Sequence, residues 1–347
     1  MVYNIVVAMP STSILGTHHL RSDLYKEPSP RVHQEMPSIT VLICTCNRGD
    51  SVRATISSVL ANTYAKFKLL IIDQSSDQRT AHAVAQFCGD RHLRYIHTNT
   101  CGKSWAINIG LSLTTTEIVI MTDDDCEVPP DWIAKMVAPF LYHPQVGIVF
   151  CNVAAGPHDS LTGFVPISRR SHPLLIEDLA HWQTCDGVNI GIGAGMAIRR
   201  SAAKAIGGFD IRFGPGAHFH SAEDLDFSLH TLAAGYQIYR TTVVDVIHYG
   251  FRTYAEGRQL THRSLFGIGA VYGQLLRRGY WICLRYYAAV FNAVVIMPAL
   301  EDLAHGRPPR KLGRAMWLLR GLIEGLCVRP VSRTQGLIGI PKTTITS

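Results

Sequence analysis

The sequence predicts an α/β fold: a mostly parallel central sheet flanked by helices, with a helical extension at the C-terminal end. Three observations predict it. Short apolar runs of strand length alternate with segments whose apolar residues recur at helical spacing. The runs are continuously apolar, as in strands buried on both faces of a parallel sheet. The last quarter of the chain is basic and reads as helical.

Residues 38–45 (SITVLICT) form the first apolar run, bounded by Pro37 and the turn Asn47-Arg48-Gly49. Asp50 is placed to cap a following helix, in which Val52, Ile56, Val59 and Leu60 recur at helical spacing. Residues 66–73 (KFKLLIID) make the second strand, and 75–77 start a second helix that fades by Gly89. A third strand spans 93–97 and a helix 104–113. The fourth strand, 117–122 (EIVIMT), ends in three aspartates. A helix over 130–141 has proline in its first turn, and 146–152 (VGIVFCN) is a fifth strand. A glycine-rich stretch, 213–221 (FGPGAHFHS), leads into a helix over 223–234, and 237–247 is a strand-like run closed by His248. Residues 1–37 mix Pro, His, Ser and charges without a period and read as an arm. The chain thus divides into 1–37, 38–250 and a basic helical region 251–347.

Composition bounds the class. The chain has 347 residues, 47% hydrophobic and 17% charged, which excludes a disordered protein. Its net charge is +7, but residues 252–347 hold 14 Lys/Arg against 4 Asp/Glu. The basic character belongs to the C-terminal quarter and points to a polyanionic partner. The nine cysteines show no CxxC spacing, so no zinc or disulfide framework is expected, and a reducing, cytoplasmic compartment is. The N-terminus lacks a basic leader, so no signal peptide is expected.

In open α/β sheets ligands bind beyond the carboxyl ends of the strands. Thr45, Asp73 and Asp123 all fall there. Asp73 alone is explained as a helix cap. Asp123-Asp124-Asp125 is not, because three adjacent carboxylates repel one another unless a cation neutralises them. A hard ion such as Mg²⁺ or Mn²⁺ takes oxygen ligands and shares them with substrate phosphates. The competing reading is a solvated acidic turn. Glu223-Asp224 is a second acidic pair. Taken alone, it is explained by the favourable dipole of a helix N-terminus.

Six segments then carry a resemblance: ITVLICTCNR, LLIIDQSSD, CGKSWAINIGL, IVIMTDDDCEVPPDW, GIGAGMAIRRSAAKAIGGFD and SAEDLDFSLHTLAAG. In this order and spacing the sequence resembles the family 2 glycosyltransferases, which have the GT-A fold, over roughly residues 38–248. The resemblance implies a nucleotide-binding half at 38–152 and an acceptor half at 153–250. It places Thr45, Arg48, Asp73 and Gln74 near the nucleoside. It places Asp123 and Asp124 against the ribose and diphosphate, and Asp123 and Asp125 on the metal. Lys103 lies where a cation can approach the diphosphate; the alternative is a surface lysine. Asp224 becomes the general base of an inverting transfer, with Glu223 and Asp226 in acceptor-binding or supporting roles. His248 completes the metal shell; the alternative is a structural histidine. His218 and His220 either line the acceptor entrance or belong to a solvated loop.

The sequence also departs from the family. The second strand ends Asp73-Gln74 instead of Asp-Asp. Cys46 replaces a common aromatic residue, and Gly195 a common polar one. The Q-x-x-R-W signature of processive synthases is missing, since Gln274–Trp281 only echoes it. One sugar per binding event is therefore expected. The donor is a nucleotide-sugar, UDP-linked by preference, and the acceptor a glycan or lipid-linked hydroxyl.

At the C-terminal end, residues 286–300 are apolar but short of the roughly 20 needed to span a bilayer. Residues 311–328 alternate apolar residues with Arg314, Arg320 and Glu324. With Trp281 and Trp317 this suggests an interfacial helix on the cytoplasmic face of a membrane. A packed subdomain, a homodimer contact and a spanning helix are the alternatives. No nucleic-acid module is visible. The rival functions are a sugar-phosphate nucleotidyltransferase and a non-catalytic sugar-nucleotide-binding module. The nucleotidyltransferase calls for a glycine-rich phosphate loop, of which CTCNRGDS is a poor version. No G-x-G-x-x-G follows the first strand, which disfavours a dinucleotide dehydrogenase.

Overall fold

The structure, a computed structural model, describes residues 36–185, 191–329 and 345–346. Most of the arm expected at 1–37 lies outside the described residues.

The strands are β1 (Ile39–Thr45), β2 (Phe67–Asp73), β3 (Leu93–Thr98), β4 (Ile118–Asp123), β5 (Cys126–Glu127), β6 (Val146–Ala155), β7 (Gly163–Phe164), β8 (Leu174–Ile176), β9 (Met196–Arg199), β10 (Gln237–His248), β11 (Arg252–Thr253) and β12 (Ile345–Thr346). The helices are α1 (Val52–Leu60), α2 (Arg79–Ala85), α3 (Lys103–Leu113), α4 (Trp132–Tyr142), α5 (Arg200–Ile206), α6 (Glu223–Ala233), α7 (Tyr254–Arg277), α8 (Ile282–Phe291), α9 (Met297–Ala304) and α10 (Arg314–Cys327).

One sheet runs β12-β3-β2-β1-β4-β9-β6-β10-β5, with β8 also on β10. Its first half is parallel, as the apolar runs predict: β1 pairs in parallel with β2 and β4, and β2 with β3. The second half is mixed. β9 lies antiparallel between β4 and β6, while β6 and β10 are parallel. A four-residue strand beside glycines leaves almost no periodic signal, so β9 was not legible in the sequence. Two apolar clusters cover the sheet faces, one under α1 and α4, the other under α3, α6 and α7.

Local starts differ from expectation at two points. Asp50 lies in a 3₁₀ turn and pairs with Arg53 instead of capping α1. The second helix begins at Arg79, because Ser75 and Ser76 are held by Asp73 and Asn47 in a turn.

The C-terminal region packs on the core. α7 opens with a capping box, Thr253 and Glu256 exchanging hydrogen bonds, which satisfies two orphan donors. α10 packs against α7 through two G-x-x-x-G faces, Gly269/Gly273 and Gly321/Gly325. A Cβ on Gly321 would lie 2.0 Å from the Phe266 carbonyl oxygen, and one on Gly273 2.3 Å from that of Leu322. Helix Ile282–Ala304 is continuous over 23 residues, longer than the apolar run suggests. It passes Pro298 through a π-helical turn, Asn292–Ile296. Proline blocks the carbonyl four residues back. That carbonyl, of Val294, accepts instead from Arg314 at the start of α10 (3.2 Å).

Candidate active site

Strand register sets the site. Thr45, Asp73 and Asp123 end neighbouring strands, with Thr45 opposite Asp73 and Cys44 opposite Asp123. The backbone then turns at Asp124-Asp125 and enters β5, where Cys126 pairs with His248 of β10. The aspartate turn is thereby fastened to the end of β10.

The three aspartates face different partners. Asp123 accepts a hydrogen bond from Lys103 Nζ at 2.6 Å. Arg48 forks over the other two, with Nε 2.9 Å from Asp124 Oδ1 and Nη2 2.9 Å from Asp125 Oδ2. Asp125 Oδ1 lies 3.2 Å from His248 Nε2. That oxygen is buried and has no aligned hydrogen bond among the described residues. Burial pushes Asp124 up to about 6, against the charge of Arg48. Burial also opposes ionisation of Asp125, but the facing His248 and Arg48 outweigh it and hold that carboxyl at about 2. His248 is raised by the same carboxylate despite its own burial. Its Nδ1 meets the Pro166 carbonyl at 2.9 Å, so Nδ1 carries the proton and Nε2 is turned to Asp125.

Of the three aspartates, Asp125 joins a group with the spacing of metal ligands. Donor atoms of Asp125, Cys126 and His248 lie within 4.8 Å of one another. Gly250 keeps space beside them: a Cβ there would stand 2.4 Å from His248 Nε2 and 3.0 Å from Asp125 Oδ2.

The second acidic pair is brought in by a loop contact. Lys103 N–H donates to the Pro215 carbonyl (3.0 Å), and a Cβ on Gly216 would lie 3.1 Å from the Gly102 Cα. Only glycine allows this approach, at positive φ on both sides (Gly102 108°, Gly216 80°). The glycine-rich loop thus leans on the start of α3 and delivers α6. Lys103 Nζ then stands 3.8 Å from Glu223 Oε1 as well. Lys103, Asp123, Thr122, Gly193, Glu223 and Asp224 line one pocket. Burial raises both Glu223 and Asp224. Lys103 opposes the shift at each, and the Leu225 N–H also opposes it at Asp224. Burial works against the Lys103 ammonium, but Asp123 and Glu223 more than restore it.

Asp73 and Gln74 are held by neighbouring side chains and backbone. Asp73 is fully buried. Its Oδ1 accepts from the Ser75 N–H (2.8 Å) and hydroxyl (2.5 Å), and its Oδ2 from the Tyr95 hydroxyl (2.6 Å). Gln74 Nε2 donates to Thr100 Oγ1 (2.8 Å) and to the Gly102 carbonyl (3.2 Å), which fixes the amide orientation. Thr45 is buried at the end of β1, and its side chain faces the Asp124 carboxylate and favours ionisation there.

Comparison with known proteins places this geometry. The sequence model of Glycosyl transferase family 2 matches residues 40–207. The matched segment, just under half of the chain, is that of a family 2 glycosyltransferase. The sequence of this glycosyltransferase is 28% identical over 196 residues to a poly-beta-1,6-N-acetyl-D-glucosamine synthase of Staphylococcus aureus, covering 56% of this chain and 47% of that one. It is 26% identical over 180 residues to the Staphylococcus epidermidis synthase, covering 51% and 43%. The chain therefore spans about half the length of the curated relatives it matches. Among solved structures it is similar to the mannosyltransferase PcManGT of Pyrobaculum calidifontis, solved with GDP-Man and Mn²⁺. That match has a TM-score of 0.56 and 20% identity, and covers 84% of this chain and 88% of that one. It is also similar to residues 1–349 of S. aureus TarS, with a TM-score of 0.51 and 14% identity, covering 83% and 92%. These structural likenesses show the GT-A fold.

Some expected residues of the glycosyltransferase sit away from the pocket. Asp226 is fully buried and meets His230 at 3.3 Å. His218 and His220 are exposed in the loop, and His218 Nε2 lies 3.1 Å from Glu324 of α10. Gly195 replaces a common polar residue because a Cβ there would meet Cys151 Sγ at 2.7 Å. Gly250 and Pro166, which shape the space around His248, were missed. A glycine two residues after a candidate ligand was the available signal. Cys44, Cys46, Cys88, Cys101, Cys126, Cys151, Cys283 and Cys327 are free thiols.

Proposed function

We propose that this enzyme transfers one sugar from a nucleotide-sugar, UDP-linked by preference, to an acceptor hydroxyl with inversion at the anomeric carbon. The observation that carries the reading is the meeting of Asp123, Lys103, Glu223 and Asp224 in one pocket at the sheet's carboxyl edge. Asp224 takes the proton of the acceptor hydroxyl as its oxygen bonds to the anomeric carbon and the bond to the diphosphate breaks. Lys103 and Arg48 are placed to meet the negative charge that gathers on the leaving diphosphate. Asp123, Asp125 and His248 would hold Mg²⁺ or Mn²⁺, which supplies charge neutralisation to that diphosphate. The Mn²⁺ in the PcManGT complex supports this assignment.

Thr45, Asp73 and Gln74 shape the nucleoside end, with Asp73 as the buried brace. The Gln74 amide nitrogen is engaged by Thr100 and Gly102, so its oxygen is the group offered to a base. An acceptor there suits the N3–H of uracil and not the N3 of cytosine. Asp226 acts as support within α6. The missing Q-x-x-R-W segment supports a single addition per binding event. The acceptor is a glycan or lipid-linked hydroxyl.

A screen of UDP-, GDP- and dTDP-sugars with Mg²⁺, Mn²⁺ or a chelator tests the proposal. Release of nucleoside diphosphate with a divalent ion, lost in Asp125→Ala, is the expected result. Equal donor turnover in chelator, or in Asp125→Ala, would overturn it.

A further inference from the structure

The C-terminal helices present an apolar surface away from the pocket. Trp281 is 73% exposed at the start of helix Ile282–Ala304. Leu284, Leu300 and Leu303 (56%) face outward along that helix. On α10, Met316 and Ile323, each 59% exposed, flank the exposed Leu319. Isolated exposed apolar side chains are ordinary, but two neighbouring helices that each carry several on their outward faces are not.

Both helices are pinned to the domain by their inner faces. Cys283, Tyr286, Val290 and Val295 are buried, and the Tyr286 hydroxyl donates to the Leu179 carbonyl. The glycine contacts lock α10 to α7. A helix held along its length against a folded domain is arranged to lie on a bilayer, not to cross it.

Charge selects the partner. Arg285, Arg307, Arg310 and Arg320 are exposed around these faces. Of the nearby acids, Asp302 is buried between Arg307 (3.8 Å) and Lys311 (3.6 Å), Glu324 is shared by His218 and Arg320 (3.7 Å), and Glu301 is exposed, which leaves the cations in excess. A second copy docked by this same face would set one cationic rim against another. Anionic headgroups complement it, and an exposed tryptophan suits the headgroup level.

We propose that the outward faces of helix Ile282–Ala304 and α10 dock the enzyme flat on an anionic lipid bilayer. The docking face is joined to the acceptor side of the pocket. α10 holds His218 of the loop that ends in Glu223-Asp224, and Arg212 donates to the Arg329 carbonyl just beyond α10 (2.9 Å). The pocket's acceptor side is thus built onto the membrane-facing helices. The inference does not depend on the transfer chemistry, since its test reads binding alone.

Flotation of the purified full chain with phosphatidylcholine vesicles, with and without phosphatidylglycerol, tests it. The chain is expected to float with the anionic vesicles. Met316→Glu with Ile323→Glu should lower the vesicle-bound fraction by about tenfold or more. Arg285→Ser with Arg310→Ser should remove the preference for phosphatidylglycerol. Brominated lipid should quench fluorescence in wild type more than in Trp281→Phe. Circular dichroism checks folding of the double glutamate variant, and Leu303→Glu serves as the milder second variant. Three results would overturn the proposal. One is a full chain that ignores both vesicles. The second is a dimer that Met316→Glu with Ile323→Glu splits, which assigns the face to a second copy. The third is resistance to alkaline extraction from membranes, which assigns helix Ile282–Ala304 to a span.

Discussion

His248 faces Asp125 at the end of the sheet, its Nε2 3.2 Å from a buried carboxylate oxygen with no aligned hydrogen bond among the described residues. The other ring nitrogen is tied to Pro166, so the imidazole is oriented for a role at Nε2. Gly250 keeps the adjoining space open.

Gly250→Ala should therefore weaken Mn²⁺ binding about 10–100-fold, the usual effect of disturbing a ligand's surroundings. Titration calorimetry with Mn²⁺ and a nucleoside diphosphate measures it. Unchanged Mn²⁺ affinity in both Gly250→Ala and His248→Ala would move the ion elsewhere.

Asp224→Asn should keep donor binding and lower transfer about 10²–10⁴-fold, as expected for loss of a general base. Retained transfer would place the base at another residue.

The pH profile of kcat/KM has a sign fixed by the same group. Burial raises Asp224, and only its deprotonated form accepts the acceptor's proton. Activity should fall as pH drops, with an inflection above the usual carboxylate value of about 4. An acid limb at or below that value would contradict the buried setting.

Lys103→Met should weaken binding of the nucleoside diphosphate about tenfold or more, through loss of a charge-assisted contact. Lys103 also neutralises Asp123 and Glu223. The variant's acid limb should therefore shift to higher pH. Donor affinity equal to wild type would leave Lys103 a structural bridge only.

Gly321→Val should destabilise the fold by about 1–3 kcal/mol or more, because backbone stands where its Cβ must go. A Cβ there lies 2.0 Å from the Phe266 carbonyl oxygen. Thermal unfolding measures the loss. A melting temperature equal to wild type would mean that α10 does not hold α7 this closely.

Much of the donor-side half was legible because its signals are local. Unbroken apolar runs fix β1, β2 and β4, and a charged cluster after an apolar strand marks Asp123–Asp125 whatever the rest of the chain does. The antiparallel β9 was not legible, since four residues carry too short a period. The capping box at Thr253 and Glu256 was a local signal and was overlooked. The paired G-x-x-x-G faces were also written in the sequence, but which helix each would meet was not.

By itself, the sequence determined the parallel half-sheet, the aspartate turn at its edge, the acidic opening of α6 and the basic C-terminal quarter. Each depends on residues within one or two turns or strands of one another. Only the tertiary structure decided how the carboxylates are shared. Asp123 goes to Lys103, Asp124 to Arg48, and Asp125 to both Arg48 and His248. Those partners are 20 to 123 residues away along the chain, and a carboxylate's charge and hydrogen bonds depend on which of them the packing brings within about 4 Å.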